Sequence, residues 1–130
     1  YRRFGWALGL AFQLNDDLLG IWGDAATTGK ETSDIATRKK TLPLIYALAQ
    51  ATGEDRARLQ ALLAQSEDEL TAAEITEVLA ILERVGAQEY TRAQAREHRD
   101  QALAELDSVG TVDRESMERL AEVVRGVIRA

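Results

Sequence analysis

Two aspartates stand side by side at positions 16 and 17, with Gln13 about one helical turn ahead of them. Four cations follow in the next stretch of chain: Lys30, Arg38, Lys39 and Lys40. Residues 2–22 read as one helix. From Phe4 to Phe12, apolar residues and glycines point in every direction, the pattern of a helix buried all round. Carboxylates on such a helix need a remedy, because an unpaired buried carboxylate shifts its pKa and neutralises. The remedies are basic partners or a divalent cation. At about 100° per residue, Gln13, Asp16 and Asp17 share a stripe with Gly5, Gly9 and Gly20, and Trp6 falls on it two turns earlier. The stripe is rich in oxygen and poor in bulk. Oxygen ligands alone suit Mg²⁺, which keeps several waters and takes one or two carboxylates together with phosphate oxygens.

The segment behind the pair, residues 23–40, has no apolar period and is rich in Gly, Thr, Ser and Asp. It reads as a long loop with one helical turn after Ser33. Lys30 sits in Thr27-Thr28-Gly29-Lys30, where the glycine lets backbone approach a ligand closely; the spacing is not that of a Walker loop. Carboxylates on a helix with lysines on the following loop suggest a clamp for magnesium and a diphosphate. The spacing leaves a plainer reading open. Asp16-Asp17 is also what a solvated helix end looks like, Lys39-Lys40 a solvated pair, and Lys30 an ordinary loop lysine.

The elements that must position these groups are helical. Thr41 to Ala51 reads as a helix with Thr41 as N-cap, Pro43 in its first turn and Gly53 as its stop. Arg56 to Gln65 carries Leu59, Leu62 and Leu63 on one face. Thr71 and Glu74 form a candidate capping box, ahead of a stripe of Ile75, Val78, Leu79, Leu82 and Val85 that Gly86 closes. Residues 87–107 form a charged helix with Tyr90, Ala102, Leu103 and Leu106 inward. Asp113 starts a last helix whose Met117, Leu120, Ala121, Val124 and Ile128 share a face. The fold class is all-α.

Composition bounds the rest. The chain has 130 residues, no cysteine, one histidine (His98) and one proline, which excludes disulfides and thiolate chemistry and disfavours a histidine-built zinc site. The net charge of −6 makes nucleic acid a poor partner. Residues 1–45 carry +1 with both signs in tight clusters, which looks like a site, whereas residues 46–130 carry −7, which looks like solvated helix surface. Asp16 and Asp17 interrupt the one stretch of membrane-spanning length, so no membrane span is expected. The first residue is Tyr1 and no signal peptide is visible. The expectation is a cytoplasmic protein and a chain that forms the C-terminal part of something longer.

The segment Gly9 to Pro43, GLAFQLNDDLLGIWGDAATTGKETSDIATRKKTLP, resembles the second aspartate-rich region of trans-isoprenyl diphosphate synthases, the polyprenyl synthetase family. The ordered match comprises Phe12-Gln13, Asp16-Asp17, Gly23-Asp24, Thr28-Gly29-Lys30, Ser33-Asp34-Ile35 and Lys39, and its wording is most like geranylgeranyl-type synthases. The resemblance implies the C-terminal part of an isoprenoid-synthase helical bundle, with residues 1–130 the C-terminal portion of a single domain: the aspartate helix and loop over 2–40, then C-terminal helices over 41–130. It implies a Mg²⁺-dependent prenyltransferase of isoprenoid biosynthesis, a homodimer when whole. Such an enzyme ionises an allylic diphosphate and joins it head-to-tail to isopentenyl diphosphate. By position, Asp16 matches a magnesium ligand and Asp17 the neighbour that supports the metal shell. Gln13 matches the glutamine beside the allylic diphosphate, Lys30 and Lys39 match the lysines that grip it, and Phe12 matches the aromatic lining the isopentenyl pocket. Asp24 and Asp34 match residues that organise the loop.

Two features depart from the family pattern. The motif is usually D-D-x-x-D, and here Gly20 takes the last position, which implies a weaker outer metal shell. The first aspartate-rich motif does not occur in these residues, so the 130 residues by themselves are expected to be inactive. The alternative reading is a non-catalytic regulatory or binding subunit of a heteromeric prenyl diphosphate synthase. Gly20 favours that reading; the joint presence of Gln13, Asp16, Lys30 and Lys39 opposes it.

Overall fold

The computed structural model describes residues 2–23, 33–64, 66–109 and 114–128. Among them there are only helices: α1 Arg2–Trp22, α2 Ser33–Ala36, α3 Leu42–Gln50, α4 Gly53–Leu63, α5 Ala72–Val85, α6 Ala87–Val109 and α7 Arg114–Val127. No helix among the described residues is long and apolar enough to cross a membrane. The chain divides into two compact units. One comprises residues 17–91, and the other residues 1–16 with 92–130.

In the unit of residues 17–91, α5 is the central packing element, in contact with α2, α3 and α4. Its apolar stripe places Val78, Ile81 and Leu82 in a core with Ile21, Ile35, Leu44, Ala47, Leu59 and Leu62. Full burial of a Val, Leu or Ile side chain stabilises by roughly 1.5–3 kcal/mol before the entropy of ordering is counted. The expected capping box is present. The Thr71 hydroxyl accepts from the Glu74 N–H at 3.2 Å, and the Glu74 carboxylate accepts from the Thr71 N–H at 2.9 Å. Gly86 ends α5 in the left-handed region, φ 72°, which glycine enters without a Cβ penalty. Two forked ion pairs join α4 to α5, Arg58–Glu77 and Arg84–Asp55. Tyr46 and Tyr90 stack with ring centroids 3.9 Å apart.

The unit of residues 1–16 and 92–130 has a smaller core. Ala11, Val124 and Ile128 are buried, with Phe4, Leu8 and Leu103 packed against them. Asn15 donates its side-chain amide to the Val127 carbonyl at 3.2 Å, which ties α1 to the end of α7.

Several expectations are corrected. α1 is not buried all round: Ala7, Ala11, Leu18 and Ile21 are covered, but Trp6 is 68% and Phe12 55% exposed. Apolar residues on every side need neighbours on every side, and the described elements cover α1 only in part. Gly53 does not stop α3. That helix ends at Gln50, and Gly53 opens α4 with φ 58°. Tyr90 and Leu120 lie at the surface rather than inward. Gln65, Asp113 and the Met117 side chain lie outside the described residues.

The box and the ion pairs make a pH prediction. The Glu74 carboxyl is held below its ordinary value, first by the Thr71 N–H; Asp55 and Glu77 are held low first by their arginine hydrogen bonds. A lowered folded pKa contributes stability that is complete above the unfolded value, about 4.3 for glutamate, and is lost as pH falls through the folded value. Glu74→Gln keeps an acceptor without the titration. Its thermal midpoint should therefore fall less steeply than that of the parent on acidification below about pH 4. Thr71→Ala should cost about 1 kcal/mol in urea unfolding at pH 7.

Candidate functional site

α1 carries the aspartate pair, and the two carboxylates have different surroundings. Asp16 is exposed, whereas Asp17 is buried at 5% exposure. One Asp17 oxygen accepts the Leu42 main-chain N–H at 3.1 Å. Leu42 is the first residue of α3, where helix geometry leaves N–H groups without an internal partner. Thr41 is the N-cap residue, as its position predicts, but its hydroxyl makes no capping bond and is buried without a hydrogen-bond partner. The carboxylate from α1 supplies the cap instead.

Residues 34–42 form a strap beside this bond. α2 closes with the hydrogen bonds of a Schellman turn: Arg38 N–H to the Ile35 carbonyl at 3.0 Å, and Lys39 N–H to the Asp34 carbonyl at 2.9 Å. The residue at the bend is Arg38, with φ 57°. For a side chain with a Cβ this conformation costs on the order of 1–2 kcal/mol. The Arg38 guanidinium donates through Nε to the Leu62 carbonyl at 2.9 Å and through Nη1 to the Asp68 carbonyl at 2.6 Å. Leu70 N–H donates to the Ala36 carbonyl at 3.1 Å.

Lys39 follows that bend. It is half-exposed, with Nζ 3.8 Å from the Asp34 carboxylate. That carboxylate lies in the notch left by Gly20 on α1, where an added Cβ would overlap it. The position at which the usual motif carries a third aspartate is therefore closed to any side chain unless Asp34 moves.

Phe12 and Gln13 lie in the other unit, both exposed on α1. Phe12 borders an apolar groove of about 400 Å³ with Leu8, Leu120, Val123 and Val127. Lys30 and Asp24 lie outside the described residues. The sequence reading missed Arg38 as a structural residue. A left-handed bend is usually announced by Gly or Asn, and here no such signal exists.

The donor set decides what kind of metal these residues could hold. Among the described residues, no group of three His, Cys, Asp or Glu side chains forms a ready cage. Among the described residues, one exposed carboxylate with a neighbour bonded to the main chain is a sparse set of oxygen ligands. Such a set would suit Mg²⁺, which keeps several waters and needs only one or two carboxylates.

Two substitutions test this geometry. Asp17→Ala leaves the Leu42 N–H without its acceptor and should cost about 1–3 kcal/mol in urea unfolding, whereas Asp17→Asn, which keeps an oxygen acceptor, should cost less. Gly20→Asp puts a second carboxylate against Asp34. It should lower the urea midpoint, and by more than Gly20→Asn, which brings similar bulk without the like charge.

Comparison with known proteins places this arrangement. The family model for polyprenyl synthetase matches residues 1–82. The chain is 40% identical over 118 residues to (2E,6E)-farnesyl diphosphate synthase of Mycobacterium tuberculosis, covering 88% of this chain and 33% of that protein. The polyprenyl synthetase of Streptomyces coelicolor A3(2) superposes with a TM-score of 0.85 at 34% identity, over 97% of this chain and 38% of that one. Geranylgeranyl pyrophosphate synthase of Corynebacterium glutamicum, in complex with isoprenyl diphosphate and magnesium, superposes at 0.84 with 29% identity, over 97% of this chain and 35% of that one. The chain spans about a third of the length of the curated relatives it matches. With the aspartate helix, the strap and the helices behind them all matched, the chain belongs to the polyprenyl synthetase family.

Proposed function

We propose that the protein to which these residues belong is a trans-prenyltransferase that condenses an allylic diphosphate with isopentenyl diphosphate, head-to-tail and with Mg²⁺, in isoprenoid biosynthesis. The observation that carries the reading is the fastening of the strap. The buried aspartate of the pair holds Leu42, and the strap it holds presents Lys39 three residues earlier. A carboxylate helix and a cationic loop joined in this way suit a ligand that brings both magnesium and negative charge.

The family resemblance assigns the roles, and the contrast between exposed Asp16 and buried Asp17 supports the division between those two. Asp16, exposed, is the carboxylate for the metal. Asp17 supports the metal shell from the next position, one of its oxygens bonded to the Leu42 main chain. Mg²⁺, when bound, stabilises the charge that gathers on the departing diphosphate. Lys39, with Lys30, neutralises the diphosphate oxygens that the metal does not reach, and Gln13 orients the same group by hydrogen bonding. Phe12 lines the pocket for isopentenyl diphosphate, and the allylic carbon becomes cationic as its C–O bond breaks. The double bond of isopentenyl diphosphate then attacks that carbon, and loss of a proton restores the alkene in the product. We propose likewise that the whole protein is cytoplasmic and acts as a homodimer.

Steady-state kinetics of the full-length protein test the proposal. With geranyl diphosphate, isopentenyl diphosphate and Mg²⁺, it should release diphosphate and form a longer prenyl diphosphate, and chelation of the metal should abolish this. Asp16→Ala should lower kcat/KM by about 10²–10³-fold, the range for loss of a group that stabilises developing charge. Turnover unchanged in Asp16→Ala would defeat the assignment.

A further inference from the structure

Arg38 occupies a backbone conformation that side chains disfavour, and its guanidinium is spent on main-chain carbonyls rather than left for a ligand. Those carbonyls belong to residues 24 and 30 positions further along the chain. The two hydrogen bonds therefore register the strap against the end of α4 and against the segment that leads to α5. The next residue is Lys39. A lysine carries its charge on a flexible four-carbon stem, so the direction of its main chain largely sets where the ammonium can go. A left-handed residue immediately before it reverses that direction.

We propose that Arg38 is a positioning residue for Lys39: its guanidinium holds the left-handed turn and so aims the lysine at the diphosphate. The proposal rests on the reading of Lys39 given above. Three replacements separate the parts of the device. Glycine adopts the turn at no steric cost but leaves it free to adopt others, since the anchors are gone. Lysine keeps the charge but cannot make the rigid fork onto two carbonyls. Alanine loses the anchors and keeps the penalty of a Cβ. If Arg38 acts only on the stability of the fold, none of the three replacements will interact with Lys39 in binding.

The experiment is a double-mutant cycle in the full-length protein, with geranyl diphosphate as the varied substrate. Lys39→Ala should raise the KM for geranyl diphosphate. Arg38→Gly should raise it about tenfold, with KM for isopentenyl diphosphate changed less than about twofold, and Arg38→Lys should not rescue it. In the Lys39→Ala background, Arg38→Gly should add almost nothing, because two residues acting through one contact are not additive. A full additional increase in that background overturns the proposal, as does an Arg38→Gly protein with unchanged KM and only a lower melting temperature. If Lys39→Ala itself leaves KM unaltered, the reading of Lys39 fails, and the proposal built on it fails too. Should Arg38→Ala not fold, Arg38→Gly and Arg38→Lys carry the test.

Discussion

The arrangement depends on how one buried carboxylate is satisfied. Asp17 lies on a helix whose neighbours are apolar, and a carboxylate there is costly without a partner. One partner is the Leu42 N–H, one of the donors that every helix leaves open at its start. One hydrogen bond thus meets two needs: it gives the carboxylate a donor and gives α3 a cap that the Thr41 hydroxyl does not provide. It also fixes where the strap between α2 and α3 must end, against α1.

This division explains why two adjacent aspartates need not do the same work. On a helix, neighbouring residues point about 100° apart, so one of a pair can face the core while the other faces outward. Here Asp17 faces the core and Asp16 faces solvent. In the proposed enzyme the outer carboxylate meets the metal and the inner one keeps the strap in register. The strap has a second fastening at Arg38 and a third contact where Asp34 enters the Gly20 notch. Gly20, read from the motif alone as a missing ligand, is in the folded chain the space that lets the α2 carboxylate of Asp34 reach α1.

Much of this was legible in the residues themselves. α1 was bounded to the residue, because its apolar run is long and Gly23 follows it. The capping box at Thr71 and Glu74 and the left-handed Gly86 were equally plain, since a few neighbouring residues determine each of them. The family was legible too, in an ordered set of residues from Phe12 to Lys39 that no single pair would have identified. Exposure was less legible. Trp6 and Phe12 read as buried because apolar side chains usually are, but burial depends on which neighbours are present, and α1 alone does not specify them.

Local chemistry, then, is set by near neighbours along the chain: the helices, their caps, the aspartate pair and the cationic loop are all properties of short windows, and the order of residues determined them. What the tertiary structure alone decided is which groups meet across long separations. Asp17 with Leu42, Arg38 with Leu62 and Asp68, and Asp34 with Gly20 are joined by hydrogen bonds or close packing between segments that no periodicity relates. Such pairings are chosen by the whole core at once, because a buried polar group takes whichever partner the packing of every other element brings within reach.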